Sequence, residues 1–274
     1  MNQASRIAAV FSERKQQGQM AFMPFLAAGD PDIATTVRII RELAATGADL
    51  IEVGFPYSDP IADGPVIQSS YTRALGKHLK LHDIFDGIAQ VSGQIECPIV
   101  GMVSYAIVFR TGVEEFVTQA RESGFAGLIV PDLPGDEAAD FAALVARHGM
   151  DLIQLVAPTT PADRAAKILK NASGFVYCIA VAGTTGAREG LAPHLAEMLK
   201  SLRSQTSLPL AGGFGISRAD QVEQLRGLAD GVIVGSAIVR HLETLSHDST
   251  KTDDVMRQLS SYASEIARAA HKSP

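Results

Sequence analysis

The sequence predicts an α/β fold closed as a (β/α)8 TIM barrel, with an extra N-terminal helix and additional helices after strands 2 and 8. Three observations predict it. Short apolar runs alternate eight times with longer amphipathic segments. The 274 residues match one barrel of about 250 residues plus decorations. No Pro/Ser-rich linker, charge block or shift of composition divides the chain, so residues 1–274 read as a single domain.

The apolar runs read as buried parallel strands, because a sheet covered on both faces loses the polar alternation of a half-exposed one. In order they are Met20–Leu26, Leu50–Val53, Ile99–Val103, Gly127–Val130, Leu152–Leu155, Phe175–Ala180, Leu208–Ala211 and Val232–Val234. After the first, Ile33, Val37, Ile40 and Leu43 fall on one helical face, with Asp30 or Asp32 as candidate N-cap. Val113–Ser123, Asp136–His148, Pro161–Lys170 and Leu191–Leu202 read as further helices, the third of these with Pro161 in its first turn. Asp63–Ile95 has room for two helices, and Ala237–His271 for a short and a long one. Ala4–Gln17 places Ile7, Val10 and Phe11 at helical spacing, as a helix covering the barrel's bottom requires.

Composition excludes several classes. With 46% hydrophobic and 20% charged residues, the chain is neither disordered nor collagen-like. A net charge of -6 argues against nucleic-acid and polybasic membrane binding, and it offers no steering field to an anion, so any phosphate must be bound locally. There is no tryptophan. Cys97 and Cys178 lack the close spacing of a zinc or redox pair and read as buried reduced thiols. The N-terminal apolar run is too short for a signal peptide, and the uncharged stretch 171–187 is too polar for a membrane span. A cytoplasmic location is expected.

Chemistry in such a barrel sits at the carboxyl ends of the strands. The second strand carries Glu52 among Ile51, Val53 and Leu50, where an ionised and unpaired carboxylate costs several kcal/mol. Glu52 therefore needs a raised pKa or a partner. The stiff loop from Gly54 to Pro65 brings Asp59 and Asp63 back toward the same mouth. Two carboxylates in different surroundings can divide the work of proton shuttle and ionised partner. A structural ion pair for Glu52 is the plainer alternative.

Glycines end the seventh and eighth strands, in Gly212-Gly213-Phe214-Gly215 and Gly235-Ser236, each before a helix start. There backbone amides can approach a phosphate. No dinucleotide fingerprint or P-loop is present. After the sixth strand, Gly183-Thr184-Thr185-Gly186 suits a small hinged lid. His78 and His82 stand four apart but straddle Leu79 near Gly76, and they read as exposed rather than as metal ligands. No metal site is expected. Met20, Met23 and Met102 read as core or pocket fillers.

These residues carry a resemblance. Ile51 to Gly64, IEVGFPYSDPIADG, is similar to the signature of the tryptophan synthase alpha chain family. Support comes from Pro24 to Pro31, from Val130 to Pro134, from Gly212 to Ser217 and from Gly235 to Val239, so the likeness runs over nearly the whole chain. It implies a lyase that splits indole-3-glycerol phosphate into indole and glyceraldehyde 3-phosphate without a cofactor of its own. By the same resemblance Glu52 is the proton shuttle and Asp63 holds the indole N–H. Phe25, Tyr105 and Tyr177 line the indole pocket or orient Glu52, and Thr185 helps position Asp63. Gly186, Phe214, Gly215, Gly235 and Ser236 bind the phosphate. The expected partner is a beta chain, which carries pyridoxal phosphate, in an alpha2beta2 assembly.

The chain departs from the family pattern at Ala180, where the family usually has Ser, in Gly183-Thr184-Thr185-Gly186, where it usually has Gly-Val-Thr-Gly, and at Ala106 and Ile107, where the family commonly has an Asn close to the beta-chain contact. The alternatives are a stand-alone lyase releasing free indole, a weakly catalytic subunit that mainly activates its partner, and a sister phosphate-binding barrel such as an isomerase. The intact pair Glu52 and Asp63 disfavours the last two.

Overall fold

The computed structural model describes residues 5–60, 63–179, 193–213, 215–247 and 251–273. Eight parallel strands close into a barrel in the order β1 to β8, with β8 pairing back onto β1. They are β1 (Ala21–Ala27), β2 (Ile51–Gly54), β3 (Ile99–Met102), β4 (Phe125–Ile129), β5 (Asp151–Val156), β6 (Val176–Ile179), β7 (Leu210–Gly213) and β8 (Gly231–Val234). The helices are α1 (Arg6–Gln16), α2 (Ile33–Ala45), α3 (Pro65–Leu75), α4 (Leu81–Ser92), α5 (Tyr105–Thr111), α6 (Val113–Ser123), α7 (Ala139–Arg147), α8 (Ala162–Lys170), α9 (Pro193–Arg203), α10 (Ala219–Glu223), α11 (Ser236–His247) and α12 (Thr252–Ala270). Extra helices thus precede β1 and follow β2 and β8. Among the described residues no helix is long and apolar enough to cross a membrane.

Side-chain alternation splits the core into two shells. Ala21, Met23, Leu50, Val100, Ile129, Ile153, Phe175, Ala211 and Ile233 fill the barrel's interior. Ile7 and Phe11 of α1 close it from below, with the Phe11 and Phe175 rings 5.4 Å apart. The intervening residues, such as Phe22, Ile51, Val53, Leu128 and Val232, face outward into the helix layer. Above the interior shell, the same inward parity presents Phe25 and Ala27 on β1 and Glu52 and Gly54 on β2. The backbone register pairs Phe25 with Glu52.

The structure adjusts several sequence-based boundaries. Asp32 caps α2 by accepting from Thr35 N, while Asp30 is spent on an ion pair with Arg73 at 2.6 Å. Pro161 is the N-cap of α8 rather than part of its first turn. α7 starts at Ala139, after a turn in which Glu137 N bonds Pro134 O. β7 lies two residues later than expected, over Leu210–Gly213, and its pairing with β6 carries Gly212 and Gly213 into the sheet. α5 and α10 had no counterpart in the hydropathy pattern, because seven and five residues are too few to show a face. Cys178 is buried as expected, whereas Cys97 is only half-buried, at the chain's entry to β3. His78 and His82 are exposed, with α3 ending before Gly76 as the glycine suggests.

One clamp holds the barrel's lower rim. Asp49, just before β2, accepts from Phe22 N at 2.7 Å, meets Arg14 Nε of α1 at 2.7 Å and lies 2.7 Å from His271 Nε2 after α12. It joins both ends of the chain to the β1–β2 pair. Asp49→Ala leaves a half-buried guanidinium and a buried amide without their acceptor, so it should cost about 3 kcal/mol in urea unfolding. A loss below about 0.5 kcal/mol, the usual scale of a plain surface change, would contradict the clamp.

Candidate active site

Glu52 stands at the centre of the upper mouth. It is buried, and among the described residues its Oε1 has no hydrogen-bond partner. Below it lies a cavity of about 10 Å³ lined, besides Glu52, by Met23, Leu50, Ile51, Val100, Ile129 and Phe175, whose apolar side chains offer a water too few of the polar partners it needs. Burial, and secondarily the negative charge of Asp63, push the Glu52 carboxyl up from 4.5 to about 8. At neutral pH this group is a protonated acid facing an apolar chamber.

Asp63 reaches the mouth from the β2–α3 loop. Its backbone N bonds Pro60 O at 3.0 Å, and Gln68 of α3 donates to the Asp63 carbonyl at 2.8 Å and to the Pro60 carbonyl at 3.2 Å. Partial burial raises the Asp63 carboxyl, and a hydrogen bond from the Tyr57 hydroxyl opposes that rise by favouring the ionised form. The same contact, added to burial, lifts Tyr57 to about 12. Asp59 does not join the group. It is exposed, accepting from Ser58 Oγ at 2.8 Å. The stiff loop therefore aims one of its two carboxylates inward.

Phe25 is buried beside Glu52, in a small cluster with Ala27, Ile67, Tyr71 and Val239. Tyr177 of β6 points inward, and its phenol is held well above 10 by burial and by Glu52 and Asp63. Its hydroxyl lies 3.2 Å from where a Cβ on Gly213 would stand, so the glycine at the end of β7 leaves room for this ring. Tyr105 is placed differently from expectation. Its backbone N donates to Asp132 at 2.7 Å, and its ring packs on Phe109 and Phe141, centroids 6.4 and 6.0 Å away, against the helix layer. The start of a helix right after β3 turns it there.

The residues named for phosphate binding are partly visible. Ser236 opens α11, and Gly235 precedes it next to Phe25, so a helix N-terminus faces the mouth from β8. Gly215 is exposed with φ +71, a conformation suited to glycine. Thr185, Gly186 and Phe214, like Ala180 and Gly183, lie outside the described residues. Among the described residues no group of His, Cys, Asp and Glu could hold a metal ion. Sequence reading missed three contributors: Tyr57, Gln68 and Asp132. Asp132 accepts from both Ser104 Oγ and Tyr105 N at 2.7 Å and ties the β4 loop to the β3 loop. A proline-flanked aspartate directly after a strand was the available signal.

Because Glu52 is forced neutral by the fold, Glu52→Gln should stabilise the protein. The folded carboxyl titrates near 8 and the unfolded one near 4.5, so the gain is absent below about pH 4.5 and grows as pH rises toward 8. Thermal unfolding followed at pH 5 and pH 8 checks this. Equal stability of the two proteins at both pH values would contradict the raised carboxyl.

The likeness to known proteins is extensive. The family model for the tryptophan synthase alpha chain matches residues 11–271. The tryptophan synthase alpha chain of Synechococcus sp. strain CC9902 is 41% identical over 269 residues, 98% of each chain. That of Synechocystis sp. strain ATCC 27184 is 46% identical over 237 residues, covering 86% of this chain and 90% of the relative. Among solved structures, Mycobacterium tuberculosis tryptophan synthase superposes with a TM-score of 0.88 at 32% identity, covering 98% of this chain and all of its counterpart. Legionella pneumophila tryptophan synthase subunit alpha does so with a TM-score of 0.88 at 31% identity, covering 98% and 99%. Matched by the family model over residues 11–271 and by relatives and solved structures over nearly its whole length, the chain belongs to the tryptophan synthase alpha chain family.

Proposed function

We propose that this chain splits indole-3-glycerol phosphate into indole and glyceraldehyde 3-phosphate, and that residues 1–274 act as one domain in doing so. The observation that carries the reading is a buried carboxyl near pH 8, Glu52, set at a barrel mouth beside a second carboxylate that the Tyr57 hydroxyl holds.

The reaction needs a proton on ring carbon C3 and the removal of one from the side-chain hydroxyl next to it. Glu52 gives its proton to C3, which makes the ring an electron sink. The positive charge that develops on the ring nitrogen is met by Asp63, which accepts the N–H. The ionised Glu52 then takes the hydroxyl proton, the oxygen's electron pair becomes the aldehyde C=O, and the bond to C3 breaks with its electrons returning to the ring. One carboxyl gives and recovers one proton, so no cofactor is required of this chain. Phe25 and Tyr177 supply apolar walls for the ring. Gly186, Phe214, Gly215, Gly235 and Ser236 bind the phosphate in this reading, and Thr185 has the part in positioning Asp63 that the resemblance gives it; the helix N-terminus at Ser236 supports the reading, and the net charge of -6 leaves little to long-range steering.

The partner in this reading is a beta chain that carries pyridoxal phosphate and receives the indole, in an alpha2beta2 assembly in the cytoplasm. Phe109, 72% exposed on α5 near Ala106 and Ile107, supports an apolar contact there. The test is indole release from indole-3-glycerol phosphate with and without a beta chain. Glu52→Gln and Asp63→Asn should each lower turnover at least about 100-fold while the fold is kept. Turnover retained in Glu52→Gln would overturn the shuttle. Full activity that a beta chain leaves unchanged would favour a stand-alone lyase.

A further inference from the structure

Two buried side-chain polar atoms among the described residues have no hydrogen-bond partner, and both face the same mouth. One is Glu52 Oε1; the other is Tyr71 Oη. An orphaned buried hydroxyl costs about 1–3 kcal/mol, and a phenylalanine would fill the same volume without that cost. Packing therefore gives no account of the oxygen on Tyr71.

The approach of Tyr71 is specific. It projects from the buried face of α3, with Ile67 and Ala74, and its ring is 1% exposed. The hydroxyl enters the barrel through the gap left by Gly54: a Cβ there would stand 2.3 Å from Tyr71 Oη and 2.7 Å from the Phe25 ring. Gly54 is two residues beyond Glu52 on the same face of β2, a step of about 6.6 Å along the strand. The phenol thus sits one rung above the glutamate on the same inward face, near enough for each group's charge to bear on the other. The Tyr71 ring also packs on Tyr57, centroids 5.7 Å apart, the residue whose hydroxyl meets Asp63.

We infer that Tyr71 is a positioning residue for the proton that Glu52 handles: its hydroxyl donates to the Glu52 carboxylate whenever that carboxyl is ionised. The inference rests on the lyase reading above. While Glu52 holds its proton there is no charge to draw the two together, and both atoms stand unpartnered among the described residues. Once that proton passes to the ring carbon, a carboxylate is left in an apolar chamber, and a turn of either side chain closes a charge-assisted hydrogen bond. The Tyr71 proton stays on its oxygen throughout, since burial with the charges of Asp63 and Glu52 holds the phenol well above 10. When the substrate hydroxyl returns a proton to Glu52, the bond is released. The titratable groups facing this pair are Asp63 and Tyr57 from the loop and Tyr177 from β6. From β1 and α11 the neighbours are Phe25, Ala27 and Val239, which carry no charge.

Tyr71→Phe tests this without emptying the core, alongside Glu52→Gln, in the indole-release assay over a pH series. A hydrogen bond to a charged group predicts a drop in kcat of about 10- to 100-fold with KM little changed. Removing the donor disfavours ionised Glu52, so the alkaline limb of the kcat profile should move to higher pH. The melting temperature should stay the same or rise, because an orphaned hydroxyl is removed. Wild-type kcat with an unmoved limb would overturn the inference. So would lower kcat with a lower melting temperature and an unmoved limb, the mark of a packing role, or a raised KM at unchanged kcat, which would assign the hydroxyl to substrate. Turnover retained in Glu52→Gln would overturn the shuttle and with it the Tyr71 role; absence of indole release from the wild-type chain would overturn the lyase reading; an inactive Glu52→Gln beside a normal Tyr71→Phe would overturn the Tyr71 role alone.

Discussion

The desolvation of one carboxyl governs the design of the barrel's upper half. Glu52 occupies an inward position where the strands otherwise present Met, Val, Ile and Phe, and among the described residues no neighbour supplies a counter-charge. A barrel interior is a packed core, so a charge there is expensive and the group keeps its proton. The proposed chemistry needs a proton of that kind, poised near neutral pH and shielded from water. The second carboxylate, the hydroxyls around it and the glycines at the strand ends all make sense in relation to that one buried acid. Gly54 and Gly213 matter because side chains there would displace the Tyr71 and Tyr177 rings that wall the chamber.

Stability and function are assigned to opposite ends of the strands. Below, α1 plugs the interior, and Asp49 gathers Arg14, His271 and the β1 backbone, so charges are fully partnered. Above, two buried polar atoms are unpartnered among the described residues, and the proposed chemistry draws on a strand residue, Glu52, and a loop residue, Asp63. On the upper side Asp30 forms an ion pair with Arg73, whose Nε and a terminal nitrogen both donate to the carboxylate, at 3.1 and 2.6 Å. It fastens α3 to the β1–α2 loop, and α3 in turn carries Gln68 and Tyr71. A bidentate, largely buried pair suits that task because its geometry is fixed by two parallel bonds.

How legible this was in the sequence depended on the range of the interactions. The strands could be read because burial on both faces leaves continuous apolar runs, and Glu52 was conspicuous as a carboxylate inside one. α5 and α10 were invisible because neither is long enough to show periodicity. The loop after β2 announced two candidate aspartates, and only folding distinguishes Asp63, pinned by Gln68 and met by Tyr57, from Asp59, which faces solvent with Ser58. Tyr71 offered no local signal at all. Its spacing from Ile67 and Ala74 matches an ordinary core face, and the orphaned hydroxyl exists only because α3 packs across Gly54. Tyr105 shows the reverse case: a residue assigned to the pocket by likeness is turned by a short helix toward Phe109 and Phe141.

The central claim is that Glu52 is a neutral acid at physiological pH in the resting protein. Infrared difference spectroscopy of the carboxyl stretch through a pH titration, with Glu52→Gln to assign the band, measures this directly. A protonated carboxyl band, absent from the variant, should persist at pH 7 and disappear around pH 8. A Glu52 carboxyl already ionised at pH 6, titrating near 4.5 like an exposed glutamate, would contradict it.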